Sequence, residues 1–326
     1  MLDPDRRSES APTTTKAPAS RLARGHTVDE AIGLILENCL YQVTANRAAA
    51  EDGREPEGVH QMRVGLRRLR AALQLLRKAL PRAGFEAFES EAKALADALG
   101  PARNLDALDG RVARLAGDGT IGHADCRTLR EAIAAWRTDL QPDLRTALRS
   151  QRSDALLEGL AAWIAERGWR SRLPERKLGL LAKPARRLAR RALDRLDRKA
   201  RKRGRHFAGL SAQRRHKFRI ATKKLRYAVK LLGPLFGLTS EGARSKEGRG
   251  ARRYQLRLGK LQDALGEDHD AVVTPGLLDA IAARADPTTI APAIDALLAG
   301  QERRRPALRK DLRKRRRRWQ RAKVFW

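Results

Sequence analysis

Residues 60–76 read HQMRVGLRRLRAALQLL, and residues 216–232 read HKFRIATKKLRYAVKLL. In the first stretch and its flanks, Val59, Met62, Leu66, Leu69, Leu73, Leu76 and Leu80 step by alternating threes and fours, the period of one buried helical seam. His60, Arg63, Arg67, Arg70, Gln74 and Arg77 step the same way one position on, so they form a polar stripe along the flank of that seam. The second stretch copies the pattern: Phe218, Thr222, Leu225, Val229 and Leu232 make the seam, while His216, Arg219, Lys223, Arg226 and Lys230 make the stripe. The two stretches are offset by 156 residues.

A second matched pair follows in the same order. ALGPARNLDAL begins at Ala98 and ALGEDHDAVV at Ala264, an offset of 166. The extra ten residues fit a glycine-dotted loop over 237–250. Two motifs repeated in order with one loop-sized correction indicate an internal duplication. The unit is too long for a solenoid, so the expected architecture is all-α: two pseudo-symmetric four-helix bundles, residues 25–170 and 171–326, preceded by a disordered leader at 1–24 rich in Pro, Ser and Thr.

The rest of the chain agrees with an all-helical reading. Thr27 and Glu30 spell a capping box before Ile32, Ile35, Leu36, Cys39 and Leu40 at helical spacing. Pro56 stands as a first-turn proline, Pro101 separates 85–99 from 103–116, and Pro142 interrupts a helix begun near Asp125. Further helices are expected over 153–167, 183–204, 212–235, 251–266, 276–285, 288–299 and 302–322. Aromatic residues are only 4% of the chain, and no stretch shows strand alternation.

Across 326 residues, 70 Lys and Arg face 38 Asp and Glu, a formal net charge of +32. Such an excess calls for a polyanionic partner: nucleic acid, anionic lipid or a phosphate polymer. Cys39 and Cys126 have neither a pairing pattern nor metal-ligand spacing. No apolar run is long enough for a signal sequence or a membrane span, which predicts a cytoplasmic protein without membrane insertion. Basic side chains one helical turn apart, about 5.4 Å, repel one another unless an anion runs along the helix. A single such stripe reads as an ordinary solvated face; its recurrence at matched positions favours a binding ladder.

These motifs, with the closing WQRAKVFW, resemble the conserved histidine α-helical domain (CHAD) family over residues 27–326. The resemblance implies two four-helix bundles around a basic surface or pore that binds inorganic polyphosphate without catalysis, and an association with polyphosphate granules. Carried over by position, His60 and His216 match the namesake histidines, and Arg63, Arg67, Arg70, Arg219, Lys223 and Arg226 match the basic ladder. Arg77, Lys230 and, on the helix before the second ladder, Arg187, Arg190 and Arg191 complete the expected site. One departure concerns the acid that usually follows the Leu-Gly segment, which is Asn104 in the first half and Asp270 in the second. Near a helix start a neutral imidazole is favoured, so hydrogen bonding and direct phosphate contact both remain open for the two histidines.

Other chemistry finds little support. Glu89, Glu91 and Lys93 spell the ExExK of triphosphate-tunnel enzymes, but on a helix residues two apart point about 200° apart, so the motif is read as coincidental. No phosphate-loop, dinucleotide or zinc-protease motif is present, and no cofactor or metal is expected. Nucleic acid is the competing partner, for which exposed aromatics among the cations would be needed; Trp169, Phe207 and Tyr227 are the candidates. Between residues 186 and 230, 19 Lys and Arg face only Asp194 and Asp197. This inequality predicts that the C-terminal half dominates binding. Trp319, Phe325 and Trp326 are expected to dock the chain's end on the core.

Overall fold

Several helices begin where a capping side chain or a first-turn proline satisfies the first turn. Thr27 Oγ1 accepts from the Glu30 amide while the Glu30 carboxylate accepts from the Thr27 amide at 2.8 Å, which starts α1 (Val28–Thr44). The short α2 (Arg47–Asp52) leads to α3 (Pro56–Ala79), opened by Pro56. Then come α4 (Phe85–Ala98), α5 (Gly100–Gly117), α6 (His123–Asp139), α7 (Gln141–Leu148), α8 (Gln151–Ala165) and α9 (Glu175–Leu178). The second half holds α10 (Ala185–Arg203), α11 (Ala212–Leu232), α12 (Lys246–Ala282) and α13 (Pro287–Gln320), the last three capped by Ser211, Ser245 and Asp286. The computed structural model describes residues 12–80, 83–239 and 245–326. No strand occurs among them; one isolated bridge joins Thr27 to Pro184.

The helices expected over 251–266 and 276–285 are one helix, α12, and those over 288–299 and 302–322 are one helix, α13. Pro275, Pro292 and Pro306 lie inside them, and all three are exposed. On an outward face the carbonyl that loses its partner is hydrated, so the helix runs on through the proline.

The leader also differs from expectation. Residues 1–11 lie outside the described residues, but 12–24 run along α1. The Asn46 side chain accepts from the Thr15 amide at 2.9 Å and donates to the Thr15 carbonyl at 2.7 Å, Asn38 donates to the Pro18 carbonyl, and Leu22 is buried. Polar composition hid a segment held by side chain to backbone hydrogen bonds and one apolar anchor. The expected loop over 237–250 is shorter, because Ser245 caps α12 from Lys246; residues 240–244 lie outside the described residues.

Four helices of the first half (α1, α3, α4, α8) and four of the second (α10 to α13) pack as neighbours, and the two sets meet where α3 lies against α11 and α10 against α1. Their interiors form one continuous core. A second, smaller core joins α5 and α6 to the C-terminal part of α12 and the N-terminal part of α13, through Leu105, Val112, Ile133, Ile281 and Leu297. The boundary between the halves is therefore not a boundary between cores. The chain's end docks as expected: Trp319 is fully buried with its indole donating to Tyr254 Oη, Tyr254 donates to Asp197 at 2.6 Å, and Trp326 donates to Asp194.

Candidate functional site: a convergence of two basic stripes

Burial of the α3 seam decides where its stripe lies. Val59, Met62, Leu66, Leu69 and Leu73 are completely inaccessible, and Gly65 lets the helix close onto α1, since a Cβ there would come within 2.9 Å of Val43. The positions one residue on are thus held at the edge of the core, half-buried. His60 Nδ1 accepts from Arg103 Nε of α5 at 3.0 Å. Arg63 donates to the carbonyl of Ala96. The Nε atoms of Arg63, Arg67 and Arg70 are buried and have no hydrogen-bond partner.

The α11 stripe approaches the same space. Thr222 in the seam is held by the Gln262 side chain of α12 at 3.0 Å, which fixes the rotation of α11. Arg219 Nε is again buried without a partner. Burial, with the charges of Arg67, Arg219, Arg70 and Arg63 beside it, pulls the Lys223 amine down to about 8. Burial and the positive charges of Arg67 and Arg103 likewise lower Arg63 to about 10. Arg67 also acts on His60, Arg103, Arg219 and Lys230, always disfavouring the charged form. Both stripes therefore converge on one region, with Arg67 electrostatically central.

Carboxylates are distributed unevenly around it. Arg226 is paired with Asp263 at 2.7 Å and Arg215 with Asp268 at 3.2 Å. Asp270 reaches across the halves to Arg111 of α5 at 2.9 Å, and its influence favours the charged form of Arg219. Asn104, at the corresponding place in the first half, has no charge to offer. The rings of His216 and His269 lie 4.9 Å apart, in the place that His60 and Arg103 take in the first half.

Some expected residues stand apart. Arg77 is tied to Glu89 at 3.3 Å. Arg187, Arg190 and Arg191 occupy the exposed face of α10, while Ala185, Ala189 and Ala192 face the core. Arg195 and Lys199 of that helix instead share a field with Lys78 and Lys224, lowering the Lys78 amine after burial. Arg103 and Arg111 were missed by the ladder pattern; the 166-residue offset that aligns Arg103 with His269 is the signal for the first, and Arg111 has none.

The ExExK residues lie on helix α4 and are used singly: Glu89 by Gln74 and Arg77, Glu91 by Arg152 at 2.5 Å, Lys93 by Asp97 at 2.8 Å. Among the described residues no group of three or more His, Cys, Asp or Glu is placed to hold a metal, and no helix is long and apolar enough to cross a membrane. Trp169 and Phe207 are buried and Tyr227 is half-buried, so none presents an open ring.

PptA from Streptomyces chartreusis shares the fold at a TM-score of 0.56 and 18% identity, over 91% of this chain and 99% of that one. The CHAD domain from the plant Ricinus communis is more similar, with a TM-score of 0.77 and 28% identity over 95% of this chain and 98% of that one. No curated protein matches the sequence. The CHAD domain family matches residues 34–279, most of the described chain, and it is to this all-α family that the protein belongs.

Proposed function

We propose that the converging stripes bind inorganic polyphosphate and that the protein works by holding the polymer, without chemistry of its own. The observation that carries this reading is the set of buried, partnerless guanidinium nitrogens on Arg63, Arg67, Arg70 and Arg219. A buried donor without an acceptor is costly, and a charged one more so. Phosphate oxygens supply acceptors in the number and geometry that guanidinium groups take, and release of their counterions adds to the affinity. About 22 residues from Val59 to Leu80 extend roughly 33 Å, a length suited to a polymer rather than to pyrophosphate. The matched offsets of α3 with α11 and of α5 with α12 support a pseudo-twofold relation in which each half contributes one wall. In this reading the protein acts in the cytoplasm, at polyphosphate granules; both cysteines are free thiols, in keeping with a reducing compartment.

Competition between long-chain polyphosphate and DNA of matched charge, at near-physiological salt, tests the assignment. Preferential displacement by polyphosphate is expected, because among the described residues no open aromatic ring borders the stripes. Equal displacement would reduce the site to a generic polyanion binder, and preference for DNA would replace polyphosphate by nucleic acid.

A further inference from the structure

A second run of cations lies elsewhere on α12. Arg253 and Arg257, one helical turn apart, line a trench of about 880 Å³ together with Arg249, Arg321 and Lys323. Among the described residues the side chains of Arg253, Arg257, Arg321 and Lys323 have no hydrogen-bond or ion-pair partner, although like charges stand close by. Among the described residues the one carboxylate lining the trench is Glu247, which already accepts from Arg186 and lies 3.9 Å from Arg24. The opposite wall is formed by residues 321–325 after α13, anchored from below by Phe325 packed on Tyr254 and Phe236. The cations thus stand on a rigid frame.

This trench is separate from the convergence of the stripes. Gln262, which meets α11, lies nine residues from Arg253, half a turn round the α12 axis. Along the axis, Gly266 beside the stripes and Arg253 in the trench are about 20 Å apart. We infer that the trench between the start of α12 and the segment after α13 is a second anion site, which takes a short run of a linear phosphate chain. A nucleotide suits it less, because Tyr254 and Phe325 are buried and packed edge to face, leaving no ring face for a base. Two such sites on opposite flanks of one helix make the protein a bridge between polymer strands. Only the identity of the ligand rests on the reading of the stripes; the existence of the second site does not.

Tripolyphosphate, too short to span about 20 Å, separates the two sites by calorimetric counting. The wild-type chain should bind two equivalents. The triple variant Arg253→Ala, Arg257→Ala, Arg321→Ala should bind one, and Arg67→Ala, Arg219→Ala, Lys223→Ala should also bind one, by the trench alone. Circular dichroism should show both folded; a trench triple carrying Lys in place of Ala keeps the charges and should restore the second equivalent. Two equivalents remaining in the trench triple, or none in the stripe triple, would overturn the inference. A stripe triple that still binds two would instead count against the polyphosphate reading of the stripes. With long chains carrying two different fluorophores, the wild type should bring the colours together, and either triple should lose that signal; persistence of the signal in the trench triple would refute bridging.

Discussion

The two halves carry the same ladder and neutralise it differently. In the second half Arg226 has Asp263, Arg215 has Asp268, and Asp270 stands near Arg219. In the first half the residue aligned with Asp263 is Asp97, which is paired with Lys93 instead and only favours the charge of Arg63 from a distance, so among the described residues Arg63, Arg67 and Arg70 make no ion pair. Arg103 adds a permanent charge where the second half has His269. A count of Lys and Arg favours the C-terminal half; among the described residues the stripe cations without an ion pair are three in each half, Arg63, Arg67 and Arg70 against Arg219, Lys223 and Lys230, and Arg103 adds a fourth to the N-terminal one. A bound polyanion would meet the unpaired charge, so geometry moves the expectation drawn from composition toward the N-terminal half.

The largest effect should come from removing that unpaired charge. Changing Arg63, Arg67 and Arg70 together to Ala is expected to weaken polyphosphate binding at least tenfold more than changing Arg219, Lys223 and Arg226, and to flatten log K against log salt by about two units. Titrations at several salt concentrations, with circular dichroism to confirm folding, read both quantities. Equal losses would show that the halves act as one surface.

Next in size is a pH effect centred on Lys223, whose amine is pulled down to about 8 by burial and by Arg67. A bound polyanion restores the charged form. Below pH 7 the amine is already charged and affinity should be flat; from pH 8 to 10 the free protein loses the proton and affinity should fall. Stability of the free protein moves the other way. The unfolded chain keeps that proton to about 10.4, so the folded state gains stability as pH rises through the same window. Lys223→Arg should remove both trends, as followed by binding and by melting at each pH.

Two smaller changes make the halves more alike. His269→Arg installs the charge that Arg103 provides in the first half, and a gain of about fivefold in affinity is expected at neutral pH for one added contact. Asp263→Asn releases Arg226. Its gain should be about twofold, with little change in melting temperature, because Asp263 is well exposed and such pairs contribute about 0–1 kcal/mol. A loss in either variant would mean that these groups orient the stripe rather than screen it.

Much of this was legible in the sequence because its signals are local. The seam and stripe of α3 and α11 follow from spacing alone, and the capping box at Thr27 and the breaks at Pro101 and Pro142 follow from backbone chemistry. What could not be read was long-range. Whether Pro275 ends a helix depends on which face it occupies, and that is set by packing. Arg111 and Asp270 pair across 159 residues, and nothing near either announces the other. The pairing of Asp97 with Lys93, which leaves Arg70 without a carboxylate, is a choice among neighbours that spacing does not rank.

The long helices α12 and α13 carry a consequence for how the molecule comes apart. Tyr254, Leu258 and Leu261 of α12 lie in the large core and Leu278 and Ile281 in the small one; Ile290 and Leu297 of α13 lie in the small core and Leu312 and Trp319 in the large one. Neither core can melt without fraying a helix that the other holds. Amide exchange at Leu278 and Ile290 is therefore expected to slow to the rate of the large core, one cooperative unit in place of two. The prolines inside these helices leave that coupling intact, since the helix runs on through each of them and joins the two interiors.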